Sequence, residues 1–203
     1  MNKSPSNLAA EITPRYGGKR EYPHGDLAVW AFIYAELLVF SVFFVSFAFA
    51  RMLNPEVFVS GQLTLNPWLG MTNTILLLTS GWLAAAAVLA NASGKQSSAL
   101  KNLWVAILFG VGFLFVKGYE IGHHFAAGYD LDTDAFHFLY LFMGSFHFLH
   151  VVLGAGVLVI LAVKVKRGDY GPDESQGLES GAAYWHMVDI VWMILFPLVY
   201  LMR

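Results

Sequence analysis

The 203-residue chain contains no cysteine, which excludes disulfides, iron–sulfur clusters and thiolate metal sites and leaves histidine and carboxylate as the only plausible metal ligands. Charge is scarce as well: Asp, Glu, Lys and Arg make up 13% of the residues, against roughly 25% in a soluble domain. With a formal net charge of −2, no basic patch points to nucleic acid. Prolines 5, 14 and 23 cluster in the first 26 residues, and only Pro197 interrupts a long apolar stretch. That opening segment is polar, contains Gly17 and Gly18, and lacks the apolar core of a secretory signal.

What is abundant is apolar surface, at 57% of the residues. Five stretches, 27–50, 67–90, 100–119, 135–163 and 182–202, reach the roughly 20 apolar residues needed to cross about 30 Å of hydrocarbon. The connections are short and no internal repeat is visible. The expected fold is all-α: a polytopic membrane protein with five transmembrane helices in a bundle over 27–203, preceded by a tail at 1–26. Asp26 and Asp134 are positioned to cap the first and fourth spans. Lys and Arg stay on the cytoplasmic side, and Lys3, Arg15, Lys19, Arg20, Lys95, Lys101, Lys164, Lys166 and Arg167 fall on one side against Arg51, Lys117 and Arg203 on the other. The N-terminus and residues 1–26 are therefore expected in the cytoplasm and the C-terminus outside.

Ionisable residues inside lipid are costly, and so they mark either paired structural groups or working ones. The fifth stretch carries His186 and Asp189. At helical spacing Trp185, Asp189 and Trp192 share a face, with His186 three residues from Asp189. That face is open to three readings: a paired structural carboxylate, a proton carrier, or a metal or haem ligand at His186. His186, His147 and His150 are the candidate partners for Asp189 within the chain.

Pro197 is expected to kink the same span and free the carbonyl of Met193. Glu36 is the one charge well inside the first span, among Phe32, Phe40, Phe43, Phe44 and Phe47. It is expected to be buried in protein rather than lipid, neutral or hydrogen-bonded. Ala84 to Ala87 and the glycines at 118, 122, 144, 154 and 156 are candidates for close helix approach. In the third span Lys117 and Glu120 are three apart near its end, where self-pairing with help from solvent is expected. The fourth span presents His137, His147 and His150. Two histidines at this spacing, without a third ligand, are weak evidence for a metal, and no metal site is assigned.

Four segments carry a family resemblance: Ile33-Tyr-Ala-Glu-Leu-Leu-Val-Phe40, Gly118-Tyr-Glu120, Gly144-Ser-Phe-His-Phe-Leu-His-Val-Val-Leu-Gly154 and Leu178-Glu-Ser-Gly-Ala-Ala-Tyr-Trp-His-Met-Val-Asp-Ile-Val-Trp192. Together they make the chain, from Gly25 onward, similar to subunit III of the haem–copper respiratory oxidases. Glu36, Glu120, the pair His147 and His150, and the set Glu179, His186 and Asp189 fall on that family's polar positions. Mitochondrial-type members have seven spans and this chain has five, as in the quinol-oxidase members. The tail from Trp185 to Tyr200 and the acidic loop Gly128-Tyr-Asp-Leu-Asp-Thr-Asp134 look more like the branch associated with nitric oxide reductases.

The resemblance implies an accessory subunit with no redox centre of its own, in a bacterial inner membrane. Haem and copper or iron would belong to a catalytic subunit I, with subunit II a further partner. Bound phospholipid, complex stability and sustained proton uptake would be this chain's part. Two other classes compete. One is a self-sufficient haem-binding cytochrome using His147 or His150 with His186. The other is a small proton channel or transporter using Glu36, Glu120 and Asp189, against which the missing inverted repeat counts.

Overall fold

The computed structural model describes residues 27–171 and 175–202. The 1–26 tail, its Lys and Arg residues, the Asp26 cap and Arg203 lie outside the described residues. Those that are described form six helices: α1 (Leu27–Leu53), α2 (Pro55–Leu63), α3 (Pro67–Ala92), α4 (Gln96–Ala126), α5 (Ala135–Arg167) and α6 (Gln176–Phe196), the last continuing into a π-helical turn, Pro197–Leu201. All but α2 are long and apolar enough to cross a membrane, counting α6 together with its π-turn.

Caps set several of the helix starts. Pro67 occupies the first turn of α3, where its missing N–H costs nothing, and the Asn66 side chain accepts from the Trp68 amide. Asp134 caps α5 as expected, accepting from the His137 amide at 2.9 Å. The helices nevertheless outrun their apolar stretches: α4 continues seven residues past 119, through Glu120, His123 and His124, and α6 begins six residues before 182. Hydropathy marks where lipid ends, whereas a helix continues as long as its backbone bonds do and no breaker intervenes.

The bundle is arranged around α6. It packs against α3, α5 and α1, while α4 closes the ring between α3 and α5. In its most apolar stretch 56% of α6 is buried, against 11% of α1. α1 leans on the outside through Ile33, Phe40 and Phe47, spaced by seven residues as in a coiled-coil seam. Phe40 meets Phe146 at 5.4 Å and Phe47 meets Phe58 of α2 at 5.0 Å between ring centroids.

Small residues permit the closest approaches. Ala84 and Ala87 are fully buried in α3. A Cβ on Gly154 would lie 2.6 Å from the Trp185 ring, so α5 and α6 touch only because that Cβ is missing. Gly118 and Gly122 do not serve as close-packing points: the nearest atom to a Cβ is 4.0 Å away at the first, and none lies within 4 Å at the second.

Candidate functional site

Three groups of ionisable residues inside the bundle involve Lys117, Glu36 and Asp189. Toward the C-terminal end of α4, Lys117 Nζ contacts Glu120 Oε2 at 2.9 Å, the Tyr200 hydroxyl at 2.8 Å and the Tyr140 hydroxyl at 3.3 Å. Tyr200 in turn donates to Glu120 Oε1 at 2.7 Å. An ammonium has three protons, and each has an acceptor here. Lys117 is 1% exposed and Glu120 6%, so solvent is not the help expected for this pair. Lys117 stands nine residues before the end of α4, about 14 Å along the axis. The π-turn after Pro197 presents Tyr200, and Gln62 of α2 donates to the Leu198 and Val199 carbonyls at 3.3 and 3.0 Å, satisfying two acceptors that the end of the helix leaves open.

The second group joins α1 to α5. His150 Nε2 lies 3.0 Å from Glu36 Oε2, and its Nδ1 lies 2.8 Å from the Phe146 carbonyl. A carbonyl only accepts, so Nδ1 carries a proton. Nε2 and Oε2 then need one proton between them, giving either an imidazolium–carboxylate pair or a neutral imidazole–carboxylic acid pair. Glu36 thus faces protein and is hydrogen-bonded, as its sequence context suggests.

The third group lies between α6 and α3. Trp185, Asp189 and Trp192 turn into the bundle, at 0%, 4% and 1% exposure. Trp185 donates to Ser80 Oγ at 3.1 Å, and the Ser80 hydroxyl donates in turn to the Ala106 carbonyl at 2.6 Å. Trp192 donates to Thr74 Oγ1 at 2.9 Å. Asp189 Oδ2 approaches His186 Nδ1 at 3.6 Å, a charge contact too long for a hydrogen bond. The carboxylate packs where Gly81 has no side chain: a Cβ there would overlap Oδ2.

His147 and His150 therefore serve different neighbours. His150 takes Glu36, whereas His147 turns inward, stacked on Trp192 at 5.4 Å with neither ring nitrogen hydrogen-bonded. Neither pairs with Asp189. Glu179, in the first turn of α6, accepts from Ser175. A cluster the sequence reading missed stands beyond Glu120: His124, Tyr129 and His137 stack, with His137 held by Asp134 at 2.8 Å. The spacing Asp134-x-x-His137 was its only local signal. Among the described residues no three His, Asp or Glu side chains gather as a metal shell.

Comparison with known proteins places this arrangement. The family model described as cytochrome c oxidase subunit III matches residues 24–203. The heme-copper oxidase subunit I+III of Aeropyrum pernix is 31% identical over 98% of this chain and 25% of its own length. Cytochrome c oxidase subunit 3 of Alkalihalophilus pseudofirmus is 27% identical over 87% of this chain and 85% of its own length. The probable cytochrome c oxidase subunit 3 of Rickettsia conorii is 34% identical, with coverages of 84% and 64%. The chain thus spans a quarter of the archaeal protein and about two thirds of the rickettsial one. With the match running from residue 24 to the last residue, the chain belongs to the cytochrome c oxidase subunit III family.

Proposed function

We propose that the chain is a non-redox accessory subunit of a membrane-embedded haem–copper oxidase, holding a catalytic subunit I in a durable complex. The observation that carries this reading is the dispersal of its ionisable groups. Glu36–His150 joins α1 to α5, Lys117–Glu120–Tyr200 joins α4 to the π-turn, and His186–Asp189 lies within α6; the three do not converge on one pocket. Such pairs fix the packing of a bundle and do not assemble a reaction centre. The Aeropyrum relative, whose name unites subunits I and III, supports a catalytic subunit I as the partner, with haem and copper or iron residing there.

Bound phospholipid fits a groove of 380 Å³ between α1, α5 and α6, walled by Phe32, Leu153, Ile160 and Tyr184, with Lys164 at one end to meet a phosphate. Glu36, Glu120, His150, Glu179, His186 and Asp189 act in this reading as structural polar contacts and His147 as a stacked ring in the core, with sustained proton uptake a property of the assembled complex. A bacterial inner membrane is the location this reading implies; oxygen and nitric oxide consumption by the purified complex separate the two branches.

The test is affinity purification through a tag on this chain. A haem-containing partner should co-purify, and the chain alone should show no Soret band. A stoichiometric Soret band in the isolated chain would replace this reading with a self-sufficient cytochrome.

A further inference from the structure

His186 differs from the other ionisable groups of the bundle interior. Lys117, Glu120, His147 and Asp189 are closed off, and Glu36 and His150 shield one another, but the His186 side chain is 41% exposed. It lies ten residues into the 26-residue helical span and four residues, about 6 Å, inside the apolar stretch that begins at 182. Its Nδ1 faces Asp189, and among the described residues nothing bonds its Nε2.

Trp82 of α3 stands at the same level, because the adjacent Gly81 packs on Asp189 and His186. It is 69% exposed. An indole N–H belongs at the membrane interface or at a protein contact, and Trp82 stands eight residues, about 12 Å, inside the apolar stretch that ends at 90. Two polar handles therefore share one depth on one face, set among exposed Leu78, Ile75, Ile190 and Met193. The outer faces of α1 and α4 expose the polar-tipped aromatics Tyr34 and Trp104, without a histidine beside either, and are apolar through Leu38, Val45, Phe49, Leu108 and Phe115.

We propose that the α3–α6 face around Trp82 and His186 is where a transmembrane helix of the catalytic subunit docks, supplying a hydrogen-bond acceptor to His186 Nε2 or to the Trp82 indole. Acyl chains offer no acceptor, so lipid leaves both groups unsatisfied. This rests on the accessory reading above and assigns it a surface.

The absence of native cysteine makes the test direct. Single cysteines at Trp82, Ile190 and, as a control, Phe115 are labelled with a fluorophore, and quenching by nitroxide lipids is compared between the isolated chain and the tagged complex. Trp82→Cys and Ile190→Cys should lose most of their quenching on assembly, and Phe115→Cys should keep it. An intact haem-containing complex in which positions 82 and 190 remain as quenched as in the free chain overturns the assigned face alone. Shielding already present in the isolated chain, and rising with its concentration, assigns the face to a second copy and overturns the proposal. Loss of the haem protein from the position-82 or position-190 variants alone supports the face, whereas recovery of the unsubstituted chain and of Phe115→Cys with no haem protein overturns the accessory reading and the face together.

Discussion

Lys117 ties one end of the bundle together, since its three protons bind α4, α5 and the π-turn to one another. Removing one partner of a buried ion pair strands the other charge, at a cost of about 3–5 kcal/mol. Lys117→Met should therefore lower the yield and midpoint of unfolding in detergent sharply, and adding Glu120→Gln should restore part of the loss. A stable single variant would show that the pair is not closed to solvent. The i, i+3 spacing made Lys117 and Glu120 legible as a pair. Tyr140 and Tyr200 were not legible, because they are 23 and 83 residues away from Lys117 and only the fold brings them in. Glu36 and His150, 114 residues apart, escaped pairing for the same reason, while the His186–Asp189 contact lay within one turn and was readable. At Glu36 the one shared proton gives a second prediction: Glu36→Gln, which can still hydrogen-bond His150 Nε2, should assemble, whereas Glu36→Lys places an ammonium against that ring and should not. Membrane-fraction immunoblots of the two variants provide the check.

At the scale of elements, the five long helices were legible because each carries its own apolar run. α2 was not, since nine residues with Glu56, Ser60 and Gln62 form no hydrophobic stretch; the Asn54-Pro55 start was its only signal. Yet α2 supplies Gln62 to the carbonyls beyond Pro197. Pro197 acts differently from the simple kink expected: the last turn widens into a π-helix that aims Tyr200 at Lys117 and Glu120. Pro197→Ala should let that turn tighten to an α-helix and rotate Tyr200 away. Its destabilisation should overlap that of Tyr200→Phe, about 1.5–3 kcal/mol for hydrogen bonds to charged groups. In a double-variant cycle the two should be strongly non-additive; additive losses in thermal unfolding would separate the π-turn from the network.

For the molecule as a whole, length and composition were enough to specify five spans in a helical bundle, but not which helix lies at its centre. α6 holds that place because its Trp185 fits against Gly154 and Ser80 on two neighbours, a complementarity between segments far apart in sequence. Topology is the prediction proper to this scale. Reporter fusions after Lys95 and Arg167 should read as cytoplasmic and a fusion after Asp130 as external, as the Lys and Arg asymmetry requires; a cytoplasmic signal after Asp130 would invert the bundle. The central claim, that this subunit preserves a catalytic complex and takes no part in its chemistry, is tested most directly by the turnover time course of the purified complex with and without the chain. The account predicts equal initial rates per haem and a markedly shorter active lifetime when the chain is absent. A complex that lost its turnover from the first seconds without the chain, while retaining its full haem content, would contradict it.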